Sequence, residues 1–159
     1  MAAARPSLRV GVIADTHGVL RREAVVALRG AQLIIHAGDI GRPEVLEQLR
    51  AIAPIVAVRG NIDRQDWAAD LPTAASVCVT DARLFILHDI AELAPDLPPA
   101  GFAAVIHGHS HRPQIAARGN VLLLNPGSAG PRRFKLPVSV ARLWVREGSL
   151  SAEIVTLHV

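Results

Sequence analysis

Five short apolar runs, each ending in a cluster of Asp, Asn or His, constrain this chain more than any other feature. The runs are Leu8 to Ala14, Leu33 to Ala37, Ile55 to Val58, Leu84 to Leu87 and Phe102 to Ile106. The first stops at Asp15-Thr16-His17-Gly18 and the second at Gly38-Asp39. The third leads into Gly60-Asn61-Ile62-Asp63, the fourth stops at His88, and the fifth stops at His107-Gly108-His109-Ser110-His111. Each run is strand length, rich in Val, Ile or Leu, and nearly continuous rather than alternating, which is the pattern of strands covered on both faces. Parallel α/β sheets build their sites at the carboxyl ends of strands, so these ends are expected to deliver two Asp, one Asn and several His to one place.

The segments between the runs support that organisation. Leu20 to Arg29 carries apolar residues at helical spacing and stops at Gly30. Arg42 to Ala51 places Pro43 at a first helical position and forms an apolar stripe from Val45, Leu46 and Leu49. The first sixty residues thus read β-α-β-α-β, the signature of a parallel sheet. The later half reads as antiparallel hairpins. Ser76 to Thr80 and Arg83 to Leu87 flank Asp81-Ala82, Gln114 to Arg118 and Val121 to Leu124 flank Gly119-Asn120, and Val138 to Val145 and Ser149 to Leu157 flank Glu147-Gly148. Glu92 to Gly101 carries Pro95, Pro98 and Pro99 and reads as a loop or a short interrupted helix. Residues 1–159 are one domain's worth of chain, with no repeat and no linker long enough to divide it.

Composition bounds the partners. Lys and Arg number 17 against 14 Asp and Glu, a surplus of three that fits an anionic small substrate and is no nucleic-acid footprint by itself. Aromatic residues are 3% of the chain and Tyr is absent, so Ala, Val, Leu and Ile must fill the core and no row of stacking aromatics exists for single-stranded nucleic acid. The single Cys78 forms no internal disulfide and makes no thiolate zinc site; within Ser76 to Thr80 it reads as a buried strand residue. The apolar stretches are too short to span a bilayer, and Met1 to Arg9 has no signal-type apolar region behind its two Arg. The expectation is a cytoplasmic protein without a membrane partner, with a homodimer through the late antiparallel strands as an open option.

Carboxylate, imidazole and amide oxygen make an O/N ligand set that suits Mn, Fe, Zn, Co or Ni better than Ca or Mg. Singly, each residue has an ordinary explanation: Asp15 and Asp39 as helix caps, Asn61 as a turn residue, His88 as a hydrogen-bonded structural histidine. Jointly, Asp15, His17, Asp39, Asn61, His88, His109 and His111 are too many for one tetrahedral ion and suit two ions sharing an Asp.

The motifs Asp15-Thr16-His17-Gly18, Gly38-Asp39, Gly60-Asn61-Ile62-Asp63, His88 and Gly108-His109-Ser110-His111, followed by Asn125-Pro126-Gly127-Ser128, resemble those of the calcineurin-like metallophosphoesterase superfamily and its small phosphodiesterases of the YfcE type. The resemblance implies a four-layer α/β/β/α sandwich of two mixed sheets flanked by helices. It also implies two divalent metal ions, manganese foremost with Ni, Fe, Zn or Co as alternatives. Asp15, His17 and His111 would hold the first ion, Asn61, His88 and His109 the second, and Asp39 would bridge them. Asp39, Asn61 and His88 would then be catalytic, with a metal-bridging hydroxide attacking a small phosphoester in line. The retromer subunit of the same fold is a scaffold, which makes a non-catalytic metal-binding or scaffold protein the alternative.

Two positions depart from that pattern. Related protein phosphatases carry a His that protonates the leaving group where this chain has Ile62, which argues for activated esters or modest turnover and leans toward diesters. Gly is common after the His88 position, where this chain has Asp89, a carboxylate beside the second ion. Asp63 reads as an outer residue, His36 as a core or supporting residue, and His107 as structural. Among the basic residues near the motifs, Arg112, Arg132, Arg133 and Lys135, one or two would meet phosphate oxygens. Asn125 to Ser128 reads as a tight turn supporting a ligand histidine.

Overall fold

The computed structural model describes residues 7–93 and 101–159. Its elements in chain order are β1 (Leu8–Ile13), α1 (Arg22–Leu28), β2 (Leu33–His36), α2 (Pro43–Arg50), β3 (Ile55–Ala57), β4 (Ala74–Val79), β5 (Ala82–Leu87), β6 (Ala104–Ile106), β7 (Gln114–Arg118), β8 (Val121–Asn125), β9 (Ser139–Arg146) and β10 (Ser149–Thr156). Two single 3-10 turns lie at Asp66–Ala68 and Ile90–Glu92. None of the described helices is long and apolar enough to cross a membrane.

The strands form two mixed five-stranded sheets, in the orders β10-β9-β1-β2-β3 and β4-β5-β6-β8-β7. In the first, β1, β2 and β3 run parallel, and β9 joins β1 from the other side antiparallel. In the second, β5, β6 and β8 run parallel, with β4 and β7 as antiparallel edges. The expected β-α-β-α-β opening is present, but the fourth and fifth apolar runs belong to the other sheet. The polar strand ends therefore converge from two sheets onto one edge of the sandwich.

The near-continuous apolar character of β1 follows from its position. Val10 and Val12 face the second sheet, in a core with Ile35, Leu84, Ile86, Ile106, Leu124, Leu143 and Val145. Ile13 faces the other way, under α1 and α2, with Leu28, Ile34, Val45, Leu46 and Leu49. Gly11 makes the helix layer fit: a Cβ there would stand 2.7 Å from Leu28 Cδ2. The outer face of the second sheet carries a smaller cluster, Leu87, Val105 and Leu123, against which Ile90 and Leu93 pack. The fourth layer is thus represented, among the described residues, by the 3-10 turn at Ile90–Glu92. Most of the proline-bearing segment Glu92 to Gly101 lies outside the described residues.

Several local expectations change. β5 alternates at its start and β7 is almost wholly exposed, so the second sheet is open on part of its outer face. Cys78 is on a strand but exposed, because alternate residues of β4, such as Val77 and Val79, turn inward and Cys78 lies on the opposite, uncovered face with its partner Arg83. The first hairpin turns at Thr80-Asp81, with Thr80 at φ +53°, one residue earlier than the Asp81-Ala82 pair expected from sequence. Phe102 precedes β6 and packs edge-on against Phe85 at 5.4 Å between ring centroids.

Ile106 is fully buried in the core between the sheets. Ile106→Ala is expected to cost about 2–5 kcal/mol of unfolding free energy, read from urea denaturation of the metal-free protein.

Candidate metal centre

The loops that follow β1 and β2 stay paired after the strands end. Asp15, His17 and Gly18 donate their backbone N–H groups to the carbonyls of Gly38, Asp39 and Ile40 at 3.0, 3.0 and 2.7 Å. A buried side-chain chain reinforces the pair. The Gly38 N–H donates to His36 Nδ1 at 3.1 Å, His36 Nε2 lies 3.0 Å from Thr16 Oγ1, and Thr16 Oγ1 donates to the Ile40 carbonyl at 2.8 Å. An Nδ1 that accepts leaves Nε2–H as the donor to Thr16, so His36 is neutral and fully satisfied. Burial pushes it down to about 3, and it stays neutral across the physiological range. His36 supports the site, as its position suggested.

Asp63 does more than the sequence indicated. Fully buried, it accepts three backbone N–H groups, from Ile40 at 3.0 Å, Gly41 at 2.9 Å and Gly60 at 2.9 Å. That carboxylate ties the Gly38–Asp39 loop to the Gly60–Asn61 loop. The contact between them is so close that a Cβ on Gly60 would overlap Asp39. From the second sheet, the His109 N–H donates to Asp15 Oδ2 at 3.1 Å, Asn125 Nδ2 donates to the Gly108 carbonyl and Ser110 Oγ at 3.1 Å each, and Ser128 Oγ donates to the Asp15 carbonyl at 3.1 Å. Asn125 to Ser128 therefore act by position.

All seven candidate residues meet at this edge, in two groups. Asp15, His17 and His111 offer ligand-type atoms that lie within 4.8 Å of one another, and so do Asp39, His88 and His109. Asn61 joins the second group, with Oδ1 3.0 Å from His88 Nε2. Asp39 Oδ2 stands 3.5 Å from His17 Nε2 and 3.3 Å from His88 Nε2, so it touches both groups. Neither Asp15 nor Asp39 caps a helix: the residues before α1 and α2 are Arg21 and Arg42. Asp15, His17, Asp39, His109 and His111 all have φ between +48° and +71°, against only two other described non-glycine residues in that region. For side-chain-bearing residues this backbone is strained by roughly 1–3 kcal/mol each, and such strain collects at functional sites.

The donor chemistry fits a cation. Asp15 Oδ1, His17 Nε2 and His111 Nδ1 are buried with no hydrogen-bond partner among the described residues. His88 Nδ1 lies 2.8 Å from the Ala37 carbonyl and must donate to it, which turns Nε2 toward Asn61 Oδ1 and Asp39 Oδ2, where it carries a proton in the imidazolium and offers a lone pair to a cation in the neutral ring. The Asn61 amide is directed at Asp39, His88 and His109, to which its NH2 donates when the amide is turned over, so it can serve these acceptors or offer its oxygen to a cation among them. Lone pairs aimed at a shared space repel unless a proton or a metal ion lies between them.

The electrostatics agree. Burial, the dominant cause, pushes the Asp15 carboxyl up to about 7; His88 opposes the shift and Asp39 adds to it. Burial also acts upward on Asp39, yet the hydrogen bond and charge of His88 hold it below the usual carboxylate range. For His88, burial acts downward and is outweighed by Asp39, so it is raised. Burial lowers His17, and it takes His111 down to about 4. The Arg133 charge acts on Asp15, His17 and His111, which places this basic residue on the side of the first group.

Beside the second group opens a cleft of about 160 Å³, lined by Arg59, Thr73, His88, Asp89, Glu92 and His109 among others. Arg59, Thr73 and Glu92 carry no signal in the sequence, since they lie outside every motif. His107 lies off the cluster, buried and without a hydrogen-bond partner among the described residues; burial holds it down at about 4, and therefore neutral.

Asp63→Ala strands three buried donors, so it is expected to destabilise the protein by more than about 3 kcal/mol in urea titrations, and Asp63→Asn by less. A second expectation concerns pH. A carboxyl raised to about 7 holds its proton below that pH, and a bound cation must displace it. Manganese affinity measured by calorimetry is expected to rise as pH goes from about 6 to about 8. Proton release per bound ion, read from buffers of different ionisation enthalpy, should fall over the same interval.

Comparison with known proteins identifies the lineage. The profile of the calcineurin-like phosphoesterase superfamily domain matches residues 8–148. A probable metallophosphoesterase of Methanothermobacter thermautotrophicus is 35% identical over 158 residues, covering 92% of this chain and 91% of that protein. The phosphodiesterase YfcE of Escherichia coli is 30% identical over 153 residues, covering 81% of this chain and 83% of its own length. In fold, the chain matches Vacuolar Protein Sorting 29 of Cryptosporidium parvum with a TM-score of 0.76 at 16% identity, over 98% of this chain and all of that one. With two mixed sheets, ligand-type groups at their shared edge and a profile match across most of its length, the chain belongs to the calcineurin-like phosphoesterase superfamily.

Proposed function

We propose that this protein is a phosphodiesterase that works with two divalent metal ions, manganese foremost. Asp15, His17 and His111 would hold one ion, Asn61, His88 and His109 the other, and Asp39 would lie between. The observation that carries this reading is the position of Asp39 Oδ2, 3.5 Å from His17 and 3.3 Å from His88, in contact with both groups at once. A metal pair, when bound, supplies a hydroxide at neutral pH and positive charge for the phosphoryl oxygens.

The chain's own residues do the rest. Asp39 contributes the one negative charge common to both groups, and the Ile62 N–H fixes its Oδ1 at 3.1 Å. The Ala37 carbonyl orients His88, so its Nε2 faces inward. Asn61 presents an amide oxygen without adding charge, which keeps the second group the less anionic one. Arg133 brings positive charge to the first-group side, where non-reacting phosphate oxygens would lie. Ile62 offers no proton, so the leaving alcohol departs without help from that position, and esters with good leaving groups turn over fastest. The relative named a phosphodiesterase supports the choice of diesters. The scaffold alternative has only likeness of fold behind it, and a set with all seven ligand-type residues present argues against it.

The test is metal analysis of the purified protein together with hydrolysis of bis- and mono-p-nitrophenyl phosphate in manganese. Two ions per chain and faster diester hydrolysis are expected, and protein that loads no metal at neutral pH overturns the reading. Asp39→Asn removes the shared charge and is expected to cut the rate by about 100-fold or more; a full rate in that variant would show that Asp39 does not lie between the ions.

A further inference from the structure

Asp89 follows His88 directly and stands at the start of the 3-10 turn Ile90–Glu92. Its Oδ1 accepts the Ala91 N–H at 3.0 Å, which fixes the plane of the carboxylate. The other oxygen, Oδ2, lies 3.7 Å from Nε2 of His109. The opposite ring nitrogen of His109, Nδ1, faces His88 Nε2 at 3.3 Å, inside the second group. The imidazole thus lies between the group and a preset carboxylate, with one nitrogen toward each.

His109 needs such a partner more than the other histidines of the cluster. Its side chain is 46% exposed, against 21% for His17 and 7% or less for His88 and His111. Its ring packs edge-to-face on His88, a contact that does not choose between tautomers. A carboxylate facing Nε2 selects the Nε2–H form, leaves the Nδ1 lone pair directed at the group, and makes that nitrogen a stronger donor. A gap of 3.7 Å closes to a hydrogen bond by a side-chain shift of under about 1 Å.

We propose that Asp89 is a positioning residue for the second metal ion, acting through the Nε2–H of His109. This rests on the two-ion reading above. The carboxylate is placed to support the ion from outside its ligand set, neither blocking the site nor serving as a ligand.

The test is a manganese titration, by calorimetry, of the metal-free wild-type chain and of D89N, D89G and D89E. D89N separates this role from a merely structural one, because Asn still accepts the Ala91 N–H but turns an amide donor or a weaker acceptor toward His109. Expected are two ions in the wild type, one of them bound about 10–100-fold more weakly in D89N and D89G, the other unchanged, and recovery of affinity in D89E. Metal-free D89N should melt at the wild-type temperature. Wild-type affinity for both ions in D89N and D89G, tighter binding in either, or equal weakening of both ions overturns the proposal while leaving the two-ion reading in place. A wild-type chain that binds fewer than two ions overturns both.

Discussion

Acceptor lone pairs crowded into one small volume are what the rest of this structure has to hold. Burial strips Asp15 of water and the charge of Asp39 adds to the cost of ionising it, so Asp15 keeps its proton up to about 7. Imidazole nitrogens and the Asn61 oxygen face the same space. Left alone, loops carrying such groups would swing apart and hydrate. They are held instead by a lattice of backbone N–H donors aimed at buried oxygens: three onto Asp63, one onto Asp39 Oδ1 and one onto Asp15 Oδ2. A buried carboxylate with good donors on it is stable where an unpaired one is not.

The two-sheet core makes that lattice rigid. The strands that deliver the loops are anchored by residues such as Val12, Ile35, Ile86 and Ile106, which are fully buried between the sheets. Aliphatic packing at crystal-like density resists the small displacements that would let the strand ends part. The left-handed backbone at five of the ligand-type residues is tolerable only on such a support. Close approach matters too. Gly60 against Asp39, and Gly130 against the Asp15 and Thr16 carbonyls, leave no room for a side chain, so the loops nest directly on one another.

Much of this was legible in the chain itself because it is written in local patterns. Apolar runs of strand length mark β1, β2, β3, β5 and β6 to within a few residues, and their polar ends name all seven residues of the cluster. Sheet membership was not legible in the residues themselves; only the family resemblance implied two sheets. Whether Leu84 to Leu87 pairs with β1 or begins a second sheet depends on contacts distant in sequence, and a continuous apolar run looks the same in both. The exposure of Cys78 follows from its face of the second sheet being uncovered there, which is also a tertiary fact. Asp63 sits inside a recognised motif, but its hold on Ile40 and Gly41 spans more than twenty residues and leaves no periodic trace. Arg59, Thr73 and Glu92 line the cleft only because loops from both sheets meet there.

The cluster is asymmetric in a way that bears on the proposed chemistry. On the first side, Asp15 and His111 are almost inaccessible, the unpartnered atoms are buried, and the nearby charge is the positive one of Arg133. On the second side, Asn61 and His109 are exposed, the cleft opens, and the nearby charges include Asp89 and Glu92 as well as Arg59. Under the two-ion reading, a cation on the buried side would exchange slowly because the residues around it move with the core. One on the open side is held by residues that solvent reaches, so it depends more on outer support. Under that reading, substrate would enter through the cleft, with the positive charge of Arg133 on the far side of the cluster. The cleft mouth, with Asp89 and Glu92 beside Arg59, presents charges of both signs rather than a basic track for a polyanion, in keeping with a surplus of only three positive charges along the chain.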